Sequence, residues 1–177
     1  MQDLPQHPPL YDGVHVETSV SARVAMPAAA FSAWFAAVPL EQVLPGVGLV
    51  PATIGAEPLR GVWNTPGARR RVLMADGSTA TEEVLTRDAD GSFTYILWGF
   101  KQPLAALAHH GRGSYRIVAA GPDSTDVTWT YAFAPKGAWA RPLLGLLIRL
   151  AFRPFMVAAL ARIQSEAASH QRNCAGR

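Results

Sequence analysis

Arg70, Glu82 and Tyr95 are the residues of this sequence whose types suit carbonyl chemistry. A guanidinium and a phenol can polarise an oxygen, and a carboxylate can take up or return a proton. Arg70 and Glu82 lie on either side of Asp76-Gly77, the best hairpin signal in the chain, because the primed two-residue turns need positive φ and Asp-Gly tolerates it. On the two strands of that hairpin, a small register shift or bulge makes them cross-strand neighbours on one face. Facing inward, the pair is costly unless fully hydrogen-bonded, and such costs accompany ligand-orienting or catalytic roles. The other reading is a solvated surface pair among Arg69, Arg70, Arg71, Glu82 and Glu83, and the local pattern leaves both open.

Other chemistries find no support. His7, His15, His109, His110 and His170 are scattered without Cys or carboxylate at zinc-ligand spacing, so no metal is expected. His109-His110 falls between predicted strands, as a solvated loop pair near a cavity mouth. There is no nucleophile elbow, phosphate-cradling glycine loop or dinucleotide fingerprint. Hydrolase, kinase and Rossmann oxidoreductase readings fail, and no cofactor is expected. Cys174 is the single cysteine, which rules out an internal disulfide.

With 177 residues, 49% hydrophobic and 16% charged, the chain suits one domain with one core. The net charge of +3 is uneven: from Lys136 onward seven cationic residues face only Glu166, which leaves +6 there and −3 in the remainder. Those cations are interspersed with Leu, Ile, Phe and Met rather than packed into a basic patch, so nucleic acid is not an expected partner. Peripheral membrane contact through Trp139 to Arg162 is an alternative that the same composition supports. Met1 to Leu10 carries Asp3 and three prolines and lacks the order of a secretory signal, so a cytoplasmic protein is expected. The predicted organisation is a flexible segment 1–13, a domain 14–170 and a tail 171–177.

The elements that must position the candidates follow from periodicity. Val14 to Ala25 alternates as a strand, and Pro27 opens a helix over Ala28 to Val38. Pro39 to Gly48 allows one more short helical turn. Six strand-length runs then read as a meander: Arg60 to Trp63, Ala68 to Ala75, Ser78 to Arg87, Ser92 to Phe100, Gly113 to Ala119 and Thr125 to Ala134. A long helix spans about Pro142 to about Gln171, with a kink or break predicted near Arg153 because Pro154 lacks an N–H. Its apolar run, Leu143 to Ala161, approaches a membrane span but is interrupted by Arg149, Arg153 and Pro154, which favours a buried helix.

This order is that of an α+β layer, a curved antiparallel sheet around one long C-terminal helix with two short helices after the first strand. The helix-then-meander order, Pro27-Ala28, Gly67-Ala68-Arg69-Arg70 leading to Asp76-Gly77 and Glu82, and Val127-Thr128-Trp129-Thr130-Tyr131 resemble the SRPBCC superfamily, also called START-like or Bet v 1-like. Within it the chain resembles the bacterial polyketide cyclase/dehydrase group, from about Val14 to Ala167. The resemblance implies the helix-grip fold and a cavity for lipids, polyketides or other apolar molecules.

Parity places Val127, Trp129, Tyr131 and Phe133 on one face of the last strand, toward the helix. In Ser92 to Phe100 both parities are bulky, and the resemblance favours Tyr95 and Leu97 inward. Trp63, Val72 and Tyr115 complete the expected sheet-side wall. Arg149, Phe152, Met156 and Leu160 follow three-four spacing on the helix. The expected function is binding or carriage of a small hydrophobic molecule. A cyclase or dehydratase using Arg70, Glu82 and Tyr95 is one alternative, and a peripheral membrane lipid-binding protein is another.

Overall fold

The alternation in β7 (Ser124–Pro135) sets the architecture: Val127, Trp129, Tyr131 and Phe133 are buried on one side, and Thr128, Thr130 and Ala132 are half-exposed on the other. In the computed structural model, which describes residues 6–175, β7 lies between β1 (Val16–Val24) and β6 (Ala108–Gly121). The sheet continues through β5 (Phe93–Trp98), β4 (Thr79–Arg87) and β3 (Arg69–Met74) to β2 (Thr53–Arg60). All neighbours are antiparallel, in the order β1-β7-β6-β5-β4-β3-β2. Helices α1 (Ala28–Ala37) and α2 (Leu40–Val43) link β1 to β2, and α3 (Leu104–Leu107) precedes β6.

The sheet curves around a C-terminal helix built from α4 (Ala140–Leu147), a π-helical turn Ile148–Phe152 and α5 (Arg153–Ala175), which is the helix-grip arrangement. Met156, Ala159, Leu160, Ile163 and Ala167 form its buried face, packed toward β1 and α2. Phe31 of α1, Trp129 and Phe133 join them in the core.

The long helix does not break at Pro154. Arg153 N–H reaches back to Ile148 O, so the turn just before the proline is widened and the helix continues through Pro154. The extra residue rotates the downstream helix by about 100° relative to α4. Arg149 therefore does not share a face with Phe152 and Met156; it is exposed.

Two strands also depart from expectation. β2 occupies Thr53–Arg60 rather than Arg60 to Trp63: Gly55 and Pro58 disguise it, and Pro58 is tolerated because β2 is an edge strand with register shifts on both flanks. β6 begins at Ala108 rather than Gly113, so His109 and His110 are strand residues. The helix runs to Ala175 with no breaker after Gln171, so most of the expected tail is helical, and residues 1–5 and 176–177 lie outside the described residues.

His110 is not solvated. It is 1% exposed, beneath residues 6–15: Tyr11 N–H donates to its Nε2 at 3.3 Å, and the His15 ring lies 6.3 Å away. Accepting at Nε2 places the neutral ring's proton on Nδ1, which has no partner among the described residues. Burial, then the nearby His15, with smaller contributions from His109 and Arg112, pushes the His110 pKa below its ordinary value. The unfolded chain then binds a proton that the folded chain refuses, so this contribution is complete above about pH 6.5 and declines as pH falls below it. Urea unfolding across pH should show that decline, and His110→Gln should flatten it.

Candidate functional site

The register of the β3–β4 hairpin decides where the charged candidates point. Gly77 N–H donates to Met74 O, Met74 N–H donates to Ser78 O, and Gly77 sits at φ 78°. The loop therefore holds Ala75, Asp76 and Gly77, one residue more than the expected two-residue turn, with glycine at the left-handed position. That residue sets Arg70 directly opposite Glu82 and Arg69 opposite Glu83, without a bulge between them.

Parity then separates the two pairs. Arg70 and Glu82 share the inner face with Val72 and Ala80, while Arg69 and Glu83 pair on the outer face, where Arg69 lies 5.3 Å from the Trp98 ring centre. Arg70 Nε donates to Glu82 Oε2 at 2.7 Å, with the two side chains only 16% and 9% exposed. The guanidinium also covers the Trp63 ring at 3.4 Å from its centre. A solvated pair does exist in this hairpin region, but it is Arg71 with Glu57.

Around the inner pair stand three phenols. Burial raises the pKa of Tyr95, Tyr115 and Tyr131, and the neighbouring Glu82 charge raises all three further. They remain protonated hydrogen-bond donors at any physiological pH. Trp129 Nε1–H donates to Tyr95 Oη at 3.1 Å, and the Tyr95 hydroxyl in turn donates to Tyr131, which leaves the Tyr131 proton to be donated onward.

Two adjacent cavities, an outer and an inner lobe, share Leu44, Glu82 and Tyr131 in their walls. The outer lobe, about 360 Å³, is walled by Val72, Leu97, Phe100, Leu104, Leu147, Ala151, Phe152 and Phe155. The inner lobe, about 60 Å³, is bounded by Trp63, Arg70, Tyr95, Tyr115 and Trp129. A mainly apolar chamber thus lies beside a smaller, more polar one.

Two glycines of β6 make room for this wall. A Cβ at Gly113 would overlap the Tyr95 ring, its cross-strand partner, and one at Gly111 would come within 2.9 Å of Leu97 Cδ2 and 3.0 Å of Phe133. A glycine inside a strand marks such close approach.

Of the residues singled out from the sequence, Val72, Leu97 and Phe152 face the outer lobe; Trp63, Arg70, Tyr95, Tyr115 and Trp129 face the inner; and Glu82 and Tyr131 face both. Phe133 and Met156 are packed in the core beside the cavity and line neither lobe, Phe133 against Phe152 at 4.9 Å. Arg149 is turned to solvent for the reason of helix phase given above. Leu44, Leu147, Ala151 and Phe155 were not anticipated, although Ala151 and Phe155 continue the buried row of Leu144 and Ile148 at four-three-four spacing. Among the described residues no three His, Cys, Asp or Glu side chains converge as a metal centre requires.

A family model described as polyketide cyclase / dehydrase and lipid transport matches residues 14–168. The chain belongs to this family. Its members include polyketide cyclases or dehydrases and ligand-binding proteins of the SRPBCC superfamily. No curated protein matches by sequence. Among solved structures, the Zhui aromatase/cyclase of Streptomyces sp. R1128 is similar at 19% identity and TM-score 0.66, over 87% of this chain and 94% of that one. A norcoclaurine synthase of Thalictrum flavum is similar at 15% and 0.65, over 90% and 99%. A START superfamily protein of Mycobacterium smegmatis is similar at 15% and 0.62, over 88% and 98%. At these identities the likeness establishes the helix-grip fold of the polyketide cyclase/dehydrase chain, and its site rests on its own side chains.

Removing one partner of the inner pair leaves a buried charge uncompensated. Arg70→Met should destabilise the fold by about 3–5 kcal/mol, and adding Glu82→Leu should recover most of it, as chemical denaturation would measure.

Proposed function

We propose that this chain binds a small hydrophobic molecule carrying an oxygen function at one end. The apolar body occupies the outer lobe, and the oxygen lies near Arg70, Glu82, Tyr95 and Tyr131. The observation that carries this reading is that Glu82 and Tyr131 line both the apolar chamber and the smaller polar pocket beside it, which sets a hydrogen-bonding end against an apolar wall. A chamber of about 360 Å³ falls in the usual range for small-molecule sites, roughly 300–1,000 Å³. The family description, which spans cyclase, dehydrase and lipid transport, supports the same ligand class.

Native mass spectrometry of the purified chain, with anilinonaphthalene sulfonate titrated as a fluorescent probe, tests it. A copurifying lipophilic mass or saturable probe binding is expected, and Ala151→Phe, which grows into the outer lobe, should weaken probe binding roughly tenfold or more at unchanged circular dichroism. No guest, no probe binding and indifference to Ala151→Phe would sink the reading.

A second reading, turnover of the guest, is favoured by the placement of Arg70 and Glu82 inside the cavity rather than in solvent. Both Arg70 contacts engage Glu82 Oε2, so Oε1 is the oxygen without an Arg70 contact and is the one assigned to proton transfer. Tyr131, held neutral and accepting from Tyr95, would donate to a carbonyl oxygen as charge develops on it. Incorporation of solvent deuterium beside the carbonyl of a recovered guest measures this, and Glu82→Gln should slow it by about 10²–10⁴-fold with binding retained. An exchange rate equal to that of the free guest would leave binding as the whole function.

A further inference from the structure

We propose that the outward stripe of α4 and the π turn is a docking surface for an anionic lipid bilayer, which sets the mouth of the outer lobe against the membrane. Trp139, Leu143, Leu146 and Leu150 are 61%, 52%, 55% and 65% exposed. Their spacing of four, three and four residues aligns them on one side of the helix. Isolated exposed apolar residues are ordinary, but an aligned row of this size marks an interaction surface. Trp139 at its end has the amphipathic ring that settles at lipid headgroup level.

Charge identifies the occupant. Between Lys136 and Ser165 the sequence holds no Asp or Glu. Lys136, Arg141 and Arg149 are exposed, and none of them forms an ion pair among the described residues. Arg153 spends one N–H on Ser19 O at 2.7 Å and keeps its charge at the surface. An apolar row whose own segment carries cations and no carboxylate complements an anionic interface. A second copy meeting this face about a two-fold axis would oppose the same cations with no carboxylate to offset them.

Position supplies the purpose. Leu147, next to Leu146, lines the outer lobe from the helix side, and Leu49, 79% exposed, lines it from the other. The docked face and the cavity opening are thus adjacent, so an apolar guest would leave or reach the bilayer with a short path through water. The helix is long and apolar enough by composition to cross a membrane, but Leu144, Ile148, Ala151, Phe155 and Met156 on its other side are buried in the domain. It lies on the bilayer rather than through it. The surface stands on its own residues; only its purpose rests on the cavity reading.

Flotation of the full chain with vesicles of phosphatidylcholine mixed with phosphatidylglycerol, and of phosphatidylcholine alone, tests it. The chain should float with the anionic vesicles at low salt and be released near 1 M salt, where the screening length is about 3 Å. Arg141→Gln with Arg149→Gln should weaken binding roughly 30-fold, and Leu146→Asp with Leu150→Asp should abolish it. All four side chains are exposed, so circular dichroism and Tm should not change. A folded wild-type chain that stays with neither vesicle, or variants that float like wild type, would overturn the docking surface. So would a concentration-dependent dimer that Leu146→Asp dissociates. Probe binding without flotation removes the docking surface alone, and flotation without probe binding removes the cavity reading alone.

Discussion

A charged pair at the floor of an apolar cup must stay together, and the site is arranged around that demand. Separated from Glu82, the Arg70 guanidinium would face aromatic walls with only Trp63 against it. The three-residue loop sets the β3–β4 register that makes the pairing possible, and that register places Val72 and Ala80 on the inner face with the pair and Arg69 and Glu83 on the outer. Three phenols kept neutral by burial and by the Glu82 charge then surround a single fixed carboxylate, and the pattern of donors at this end of the cavity follows.

Much of this was legible wherever one period dominated. The inner face of β7 could be read directly, because four large apolar residues alternate with threonine and alanine over its middle. So could the meander, the short helices after β1 and the long terminal helix. The inward pointing of Arg70 and Glu82 could not be read, since it depends on whether the Asp-Gly loop holds two residues or three. Both loops suit the same dipeptide, and they differ by one step of register.

The remaining misses share a cause: a local breaker tolerated by its place in the fold. Pro58 hid β2 because the strand's edge position is not visible in the residues. Gly111, Gly113 and the histidine pair hid the first half of β6, although glycines at alternate strand positions were a usable sign of close packing. Pro154 suggested a kink, but the backbone widened one turn instead; Arg149 is exposed, and the helix turns the row Leu144, Ile148, Ala151 and Phe155 inward. Phe133 and Met156 have the composition of cavity walls and the packing of solid core, and sequence alone does not distinguish the two.

Gly111 and Gly113 also bear on how such a domain changes over evolutionary time. The placement of Tyr95, Leu97 and Phe133 rests on two missing side chains, on a strand that pairs with β7 along most of its length and with β5 over residues 111–115. The shape of the interior thus hangs on two positions: a single methyl group at either would force Tyr95, or Leu97 and Phe133, to move. A lineage built this way can trade one guest for another of different bulk by point substitution, without reinventing the container.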